Sequence, residues 1–171
     1  MGRIARLLSF LRTERNGAKV SDAKVDPGGN PNVTTEHFAS AGDDAFPLDT
    51  DYVFISSIGK TGREVAVGYL DPINEPKALI GEKRIYGRDA ATGLTVVELE
   101  LKNTGEAEMI NANGHVRLQP DGEVNINGAR ITTGGDVITA TGVSLNNHYH
   151  EQGNDSNGDS EVATEPPTAT E

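Results

Sequence analysis

The chain of 171 residues contains no cysteine and no tryptophan, and aromatic residues make up only 5% of it. Without cysteine no disulfide framework can staple the fold, and thiol chemistry says nothing of the compartment. Hydrophobic residues reach 35%. That is thin for a self-sufficient globule of this length and favours burial between subunits. No stretch is long and apolar enough to span a bilayer as a helix. Positive charge is also short: the formal net charge is −11, and any oligomer multiplies it. Such a body repels nucleic acid and anionic lipid at long range, so nucleic acid is not an expected partner.

Glycine is plentiful, with 20 residues, and much of it is periodic. Gly105-Glu106-Ala107-Glu108-Met109, Gly114-His115-Val116-Arg117-Leu118 and Gly122-Glu123-Val124-Asn125-Ile126 share the template Gly-x-apolar-x-apolar. Looser echoes follow at Gly135-Asp136-Val137-Ile138 and Gly142-Val143-Ser144-Leu145. A unit of roughly eight residues is too short for a helical repeat and suits one short strand plus one turn. Alternation puts Val116 with Leu118, and Val124 with Ile126, on one face of each strand. The glycines and Pro120-Asp121-Gly122 supply the turns. Each strand offers only about two apolar residues, and no helical pattern stands by to cover them. A lone copy would present an apolar face and open edges. Three copies wound about a common axis bury those faces and close the sheets, so the repeat predicts an intertwined homotrimeric β-helix or β-prism in preference to a single-chain solenoid.

Before the repeat, Ile4, Leu7, Leu8 and Leu11 fall at helical spacing, with Arg3, Arg6, Arg12 and Arg15 between them. The pattern predicts a short amphipathic basic helix over residues 1–17, a docking handle for a partner protein or a membrane surface. It is not read as a secretory signal: Arg12 interrupts a short apolar core, and no small-residue cleavage site follows. Strands are expected at Lys19–Val25, Tyr52–Ser57, Glu64–Leu70, Lys83–Arg88 and Thr95–Leu101, with a hairpin turn at Gly59-Lys60-Thr61-Gly62. They suggest a small OB-like β-barrel over residues 18–88. Asp89–Gly93 then marks the junction to a shaft over residues 89–145. From 146 to 171 the chain forms an apex and an acidic tail of Asn, Asp, Glu, Ser, Thr and Pro, expected to be flexible.

The strongest chemical signal is His148-Tyr149-His150. In an extended segment the two imidazoles face one side. One chain then offers two nitrogen ligands, and three chains about an axis offer six in two triangles. That is an octahedral set, which suits Fe(II) or another first-row ion better than tetrahedral zinc. His115 fills a polar slot of the repeat and is expected at the surface, while His37 in an irregular stretch is expected to be structural. Neither has a nearby Cys or Ser that would suggest a nucleophile system. Gly59-Lys60-Thr61 fails as a phosphate loop, because the earlier glycine is replaced by Phe54 and no helix follows. Asp155–Asp159 has part of a calcium-loop spacing. It lacks the glycine at its sixth position (Ser160) and the terminal Glu (Pro166), so an additional cation near the tip is a secondary expectation.

A small N-terminal barrel, a Gly-punctuated trimeric β-repeat and a terminal His-x-His together resemble the central spike proteins of contractile-tail bacteriophages, the baseplate assembly protein V-type. The resemblance spans roughly Ala18 to Gly153. It implies a homotrimer in the virion tail baseplate, seated on a tail hub protein, whose tip pierces the host outer membrane. It further implies one iron ion per trimer held by six histidines, here His148 and His150 from each chain, and no catalytic activity. The acidic tail after the motif and the basic N-terminal segment depart from that pattern. The competing readings are a trimeric receptor-binding tail fibre or tip adhesin, for which Tyr149 is the only aromatic near the tip, and an enzyme with an open metal site, which lacks further ligands.

Overall fold

The computed structural model describes residues 2–150 except 30, 41, 60 and 61. Among them the secondary structure is entirely β, and the chain separates into two compact units, Met1–Glu75 with Asp89–Leu94, and Pro76–Arg88 with the chain from Thr95 onward.

The first unit is a closed five-stranded barrel of β1 (Arg3–Arg15), β2 (Ala18–Asp26), β3 (Val33–His37), β4 (Tyr52–Ile58) and β5 (Arg63–Leu70), in the order β1-β2-β3-β5-β4. β4 pairs back onto β1, and only β3 and β5 run parallel. Its core gathers Ala5, Leu7, Phe10, Ala23, Val25, Val53, Ile55, Val65 and Ala66. Leu7, Val25, Val53 and Ile55 are fully enclosed, each contributing about 1.5–3 kcal/mol from burial.

The helix expected over residues 1–17 is absent, and the segment is the longest strand of the barrel. Two features explain the difference. Leu7 pairs with Val25 and Ser9 with Lys24, so Leu8 is an extra residue, a bulge that shifts the inward phase. Buried Ala5, Leu7 and Phe10 are then spaced two and three apart, which imitates helical spacing, while Ile4 and Leu11 point outward. Asn16 and Gly17 have φ of 52° and 78° and join Arg15 to Ala18 as a two-residue hairpin loop. Asn-Gly is the preferred pair for such a turn, because both positions need the left-handed region.

Strands appear where the alternation placed them around β2, β4 and β5, and β3 is an addition: His37 lies in a strand, not in an irregular stretch. Of the expected turn at Gly59–Gly62, Lys60 and Thr61 lie outside the described residues, and the pair Ile58 and Arg63 flanks it. The boundaries 18–88 and 89–145 shift accordingly. β1 joins the barrel, and the strand at Lys83–Arg88 belongs to the second sheet.

That second sheet is an antiparallel meander of β6 (Lys83–Arg88), β7 (Thr95–Leu101), β8 (Ala107–Asn111), β9 (Gly114–Leu118), β10 (Val124–Ile126), β11 (Ala129–Ile131) and β12 (Val137–Ile138). It narrows from seven residues in β7 to two in β12, and the bridge of Ile138 to Ser144 extends it by one more pair. Four turns repeat one hydrogen-bond scheme. At Lys102–Gly105, Gln119–Gly122, Thr132–Gly135 and Thr139–Gly142, the glycine N–H donates to the carbonyl of the first residue, whose own N–H donates to the carbonyl after the glycine. The four glycines have φ from 84° to 91°, a region that L side chains rarely adopt. Asn127-Gly128 is a second Asn-Gly hairpin, with φ of 49° and 92°, and it creates β11, which the Gly-x-apolar template skips.

Candidate metal centre

The register of the second sheet sorts its side chains by face. Ile85, Leu99, Met109, Val116 and Ile126 stand opposite one another strand after strand. Beside them runs a second row, Leu101, Ala107, Leu118, Val124, Ile131 and Val137. Every buried hydrophobic residue among the described ones belongs to the barrel, while these rows remain partly open, with Ile85 at 51% and Met109 at 52%. The other face carries charge in pairs. Arg84 bonds Glu98, Arg117 Nη2 lies 2.7 Å from Glu108, and Arg130 Nη1 lies 3.0 Å from Glu123. Partial burial pushes the Glu98 carboxyl up, but Arg84 and Lys77 outweigh it and hold the group below its usual range. Glu108 likewise raises the Arg117 guanidinium. His115 sits on this polar face, as expected, with Nε2 3.0 Å from Asn125 Oδ1.

Beyond β12 the chain passes through the turn 145–147 and delivers His148 and His150. The segment is not a strand, yet the two imidazoles are neighbours, with centroids 5.3 Å apart and planes at 86°. His148 Nδ1 lies 3.1 Å from the carbonyl oxygens of both Ser144 and Leu145. A carbonyl only accepts, so this contact calls for the proton on Nδ1, and in the neutral ring that tautomer leaves the Nε2 lone pair for a ligand. The Leu145 N–H donates to the Val137 carbonyl at 2.9 Å, tying this turn to the last strand.

Two neighbouring imidazoles are a donor pair that one metal ion could take. An imidazole bound at about 2.1 Å through nitrogen places its centroid about 3 Å from the ion, so adjacent ligands have centroids about 4.5–5.5 Å apart. The 5.3 Å separation sits at the wide, tetrahedral end of that range, so an octahedral set requires the two rings to draw closer. Among the described residues of one chain no group of three or more His, Cys, Asp or Glu is arranged to hold a metal. The calcium-like stretch Asp155–Asp159 and the acidic tail lie outside the described residues.

His37 is structural rather than a ligand. It packs edge-on to Phe10 and Tyr69, with centroids at 5.5 and 5.0 Å. Burial there lowers its pKa, with Asp43 acting in the opposite direction. Burial, helped by the negative charge of Asp51, pushes the Tyr69 hydroxyl far above its ordinary value.

Compared with family models, with curated proteins and with solved structures, the chain matches none.

What sequence reasoning missed is the support beneath the histidines. Asp136 Oδ2 accepts from Ser144 Oγ at 2.7 Å and Oδ1 from Asn146 N at 3.2 Å. The Ser144 hydroxyl bond, with those from backbone amides, keeps the Asp136 carboxyl below its usual range against partial desolvation. The signal was an acidic residue directly after a turn glycine, eight residues before Ser144.

Proposed function

We propose that this protein is the central spike of a contractile bacteriophage tail: a homotrimer in the tail baseplate whose tip perforates the host outer membrane when the sheath contracts. The observation that carries this reading is the double apolar row of the second sheet, left uncovered by its own chain and leading to the His148–His150 pair. Exposed apolar area of that extent is a site of association. A threefold arrangement would cover the double rows of all three chains at once and give an intertwined β-prism with no free sheet edges to unzip under load. The strand order of the barrel, with its single parallel pair β3/β5, supports an OB-like module, which would seat the trimer on a tail hub protein.

His148 and His150 of each chain would hold an iron ion at the tip, six histidines to one ion. When bound, the metal supplies a cross-link among three chain ends. The energy for piercing would come from the sheath, so the protein needs no catalytic site and is not an enzyme.

Light scattering with elemental analysis tests the reading directly. We expect a mass of three chains, with one transition-metal ion for the three. His148→Ala should abolish stoichiometric metal while circular dichroism of the shaft stays unchanged. A monomer free of transition metal would overturn the assignment, and one ion per chain would favour an enzyme-like site instead. Labelled antibody raised against the chain should decorate the tip of the tail in the parent virion. Decoration of lateral fibres would favour the receptor-binding reading.

A further inference from the structure

We infer that Asp136 is the positioning residue of the histidine turn: its carboxylate holds residues 144–147 in the conformation that makes His148 present Nε2. The inference rests on the metal reading for its purpose, but the arrangement stands on geometry of its own.

The slot directly after the turn glycine is filled by Glu106, Glu123 and Asp136 in three of the four turns that share one hydrogen-bond scheme. Glu106 and Glu123 turn their carboxylates toward arginine, with Arg117 3.8 Å from the first and Arg130 3.0 Å from the second. Asp136 departs from that use. Its backbone is clamped first, because its carbonyl accepts from Thr132 N at 2.9 Å and its N–H donates to Thr132 Oγ1 at 3.1 Å. From that fixed base the carboxylate accepts from Ser144 Oγ and Asn146 N. Ser144 Oγ, oriented by donating to Asp136, accepts in turn from Asn147 N at 3.0 Å. The turn so held brings the carbonyls of Ser144 and Leu145 together at 3.1 Å from His148 Nδ1.

The chain of cause therefore runs from the carboxylate through a hydroxyl and two amides to a pair of carbonyls, and ends in the choice of imidazole tautomer. A ligand histidine whose other nitrogen donates to a fixed carbonyl is oriented before the ion arrives. Near the narrow end of the sheet, where β12 has two residues, few strand hydrogen bonds remain to do this work, and the carboxylate takes their place. An aspartate suits the slot because it offers two acceptor oxygens and no donor.

The test uses the full-length chain as Asp136→Ala and Ser144→Ala, with Glu123→Ala as a control in the same slot one unit earlier. In metal-free protein labelled with nitrogen-15 at histidine, wild-type His148 should show the tautomer protonated at Nδ1. Both tip variants should show a mixture, with faster amide exchange at Asn146 and Asn147. The control should match wild type. With Fe(II) added under anaerobic conditions, release of the ion to a chelator should be about 10–100-fold faster in the tip variants. An unchanged tautomer with unchanged exchange in Asp136→Ala overturns the role, whether or not iron binds. So does wild-type release from a variant that binds iron. If wild-type protein takes up no Fe(II), the metal reading fails by itself, and the tautomer and exchange data still decide the role of Asp136.

Discussion

Met109 faces Val116 across the β8–β9 pairing, and both stay open to solvent in the middle of the sheet, at 52% and 41%. Their chain neighbours Glu108 and Arg117 also pair across the two strands, project to the opposite face and form an ion pair in which Glu108 is only 7% exposed. This sheet keeps a carboxylate drier than its methionine and valine, as expected of a face that a partner would cover. The apolar side is the one that association must cover.

Val116→Glu tests that assignment. A carboxylate on the apolar face would enter the threefold interior once per chain, unpaired, at a cost of several kcal/mol each. We expect the mass in solution to fall from three chains to one, or the protein to become insoluble. His115→Gln, one residue away on the polar face, should leave the mass unchanged. A Val116→Glu protein that remains a soluble trimer would mean that copies meet through another surface.

The Asn16-Gly17 loop sets the register of the longest hairpin in the barrel. Gly17 has φ of 78°, and a β-carbon there would meet nothing within 4 Å. Its replacement therefore tests backbone conformation without steric interference. Gly17→Ala should destabilise the barrel by about 1–2 kcal/mol, lowering its melting temperature by about 4–8 °C per kcal/mol. Gly68 in β5 also has open space around it and no positive φ, so Gly68→Ala should cause no comparable loss. Calorimetry on both variants checks the contrast, and equal effects would remove the conformational explanation.

His37 links barrel stability to pH. Burial against Phe10 and Tyr69 sets its folded value below the ordinary 6.5. The unfolded chain then binds the proton at higher pH than the folded one does. Stability from this group is complete above the unfolded value and is lost as pH falls from there through the folded value. Unfolding midpoints in urea should drop between about pH 7.5 and pH 5.5, where ordinary carboxylates stay ionised. His37→Phe should keep the aromatic packing and flatten that slope. If both proteins show the same slope, the dependence comes from other groups.

Much of the strand layout was legible because alternation and turn chemistry are local. Tyr52–Ile58, Arg63–Leu70, Lys83–Arg88 and Thr95–Leu101 are strands close to where their patterns placed them. The failures have local causes as well. One unmatched residue, Leu8, gives the first strand a helical rhythm, and the Asn-Gly pairs at 16–17 and 127–128 mark hairpins that alternation alone does not reveal. The His-x-His pattern was visible, but its support was not. Asp136 and Ser144 are eight residues apart, and only the fold of the turn between them brings the carboxylate onto the hydroxyl.

By itself the sequence determined that the chain from Ala18 onward is built of short strands and turns, that its repeat turns on glycines, and that two histidines follow the last unit. Those properties reside in neighbouring residues, since alternation, turn propensity and the need for φ above zero act over a few positions. Tertiary structure alone decided that the first thirteen-residue strand closes the barrel, that apolar side chains from successive strands of the second sheet align into two uncovered rows, and that His148 offers Nε2. Register, burial and tautomer depend on groups brought together from separate parts of the chain, and such contacts exist only once the backbone has folded.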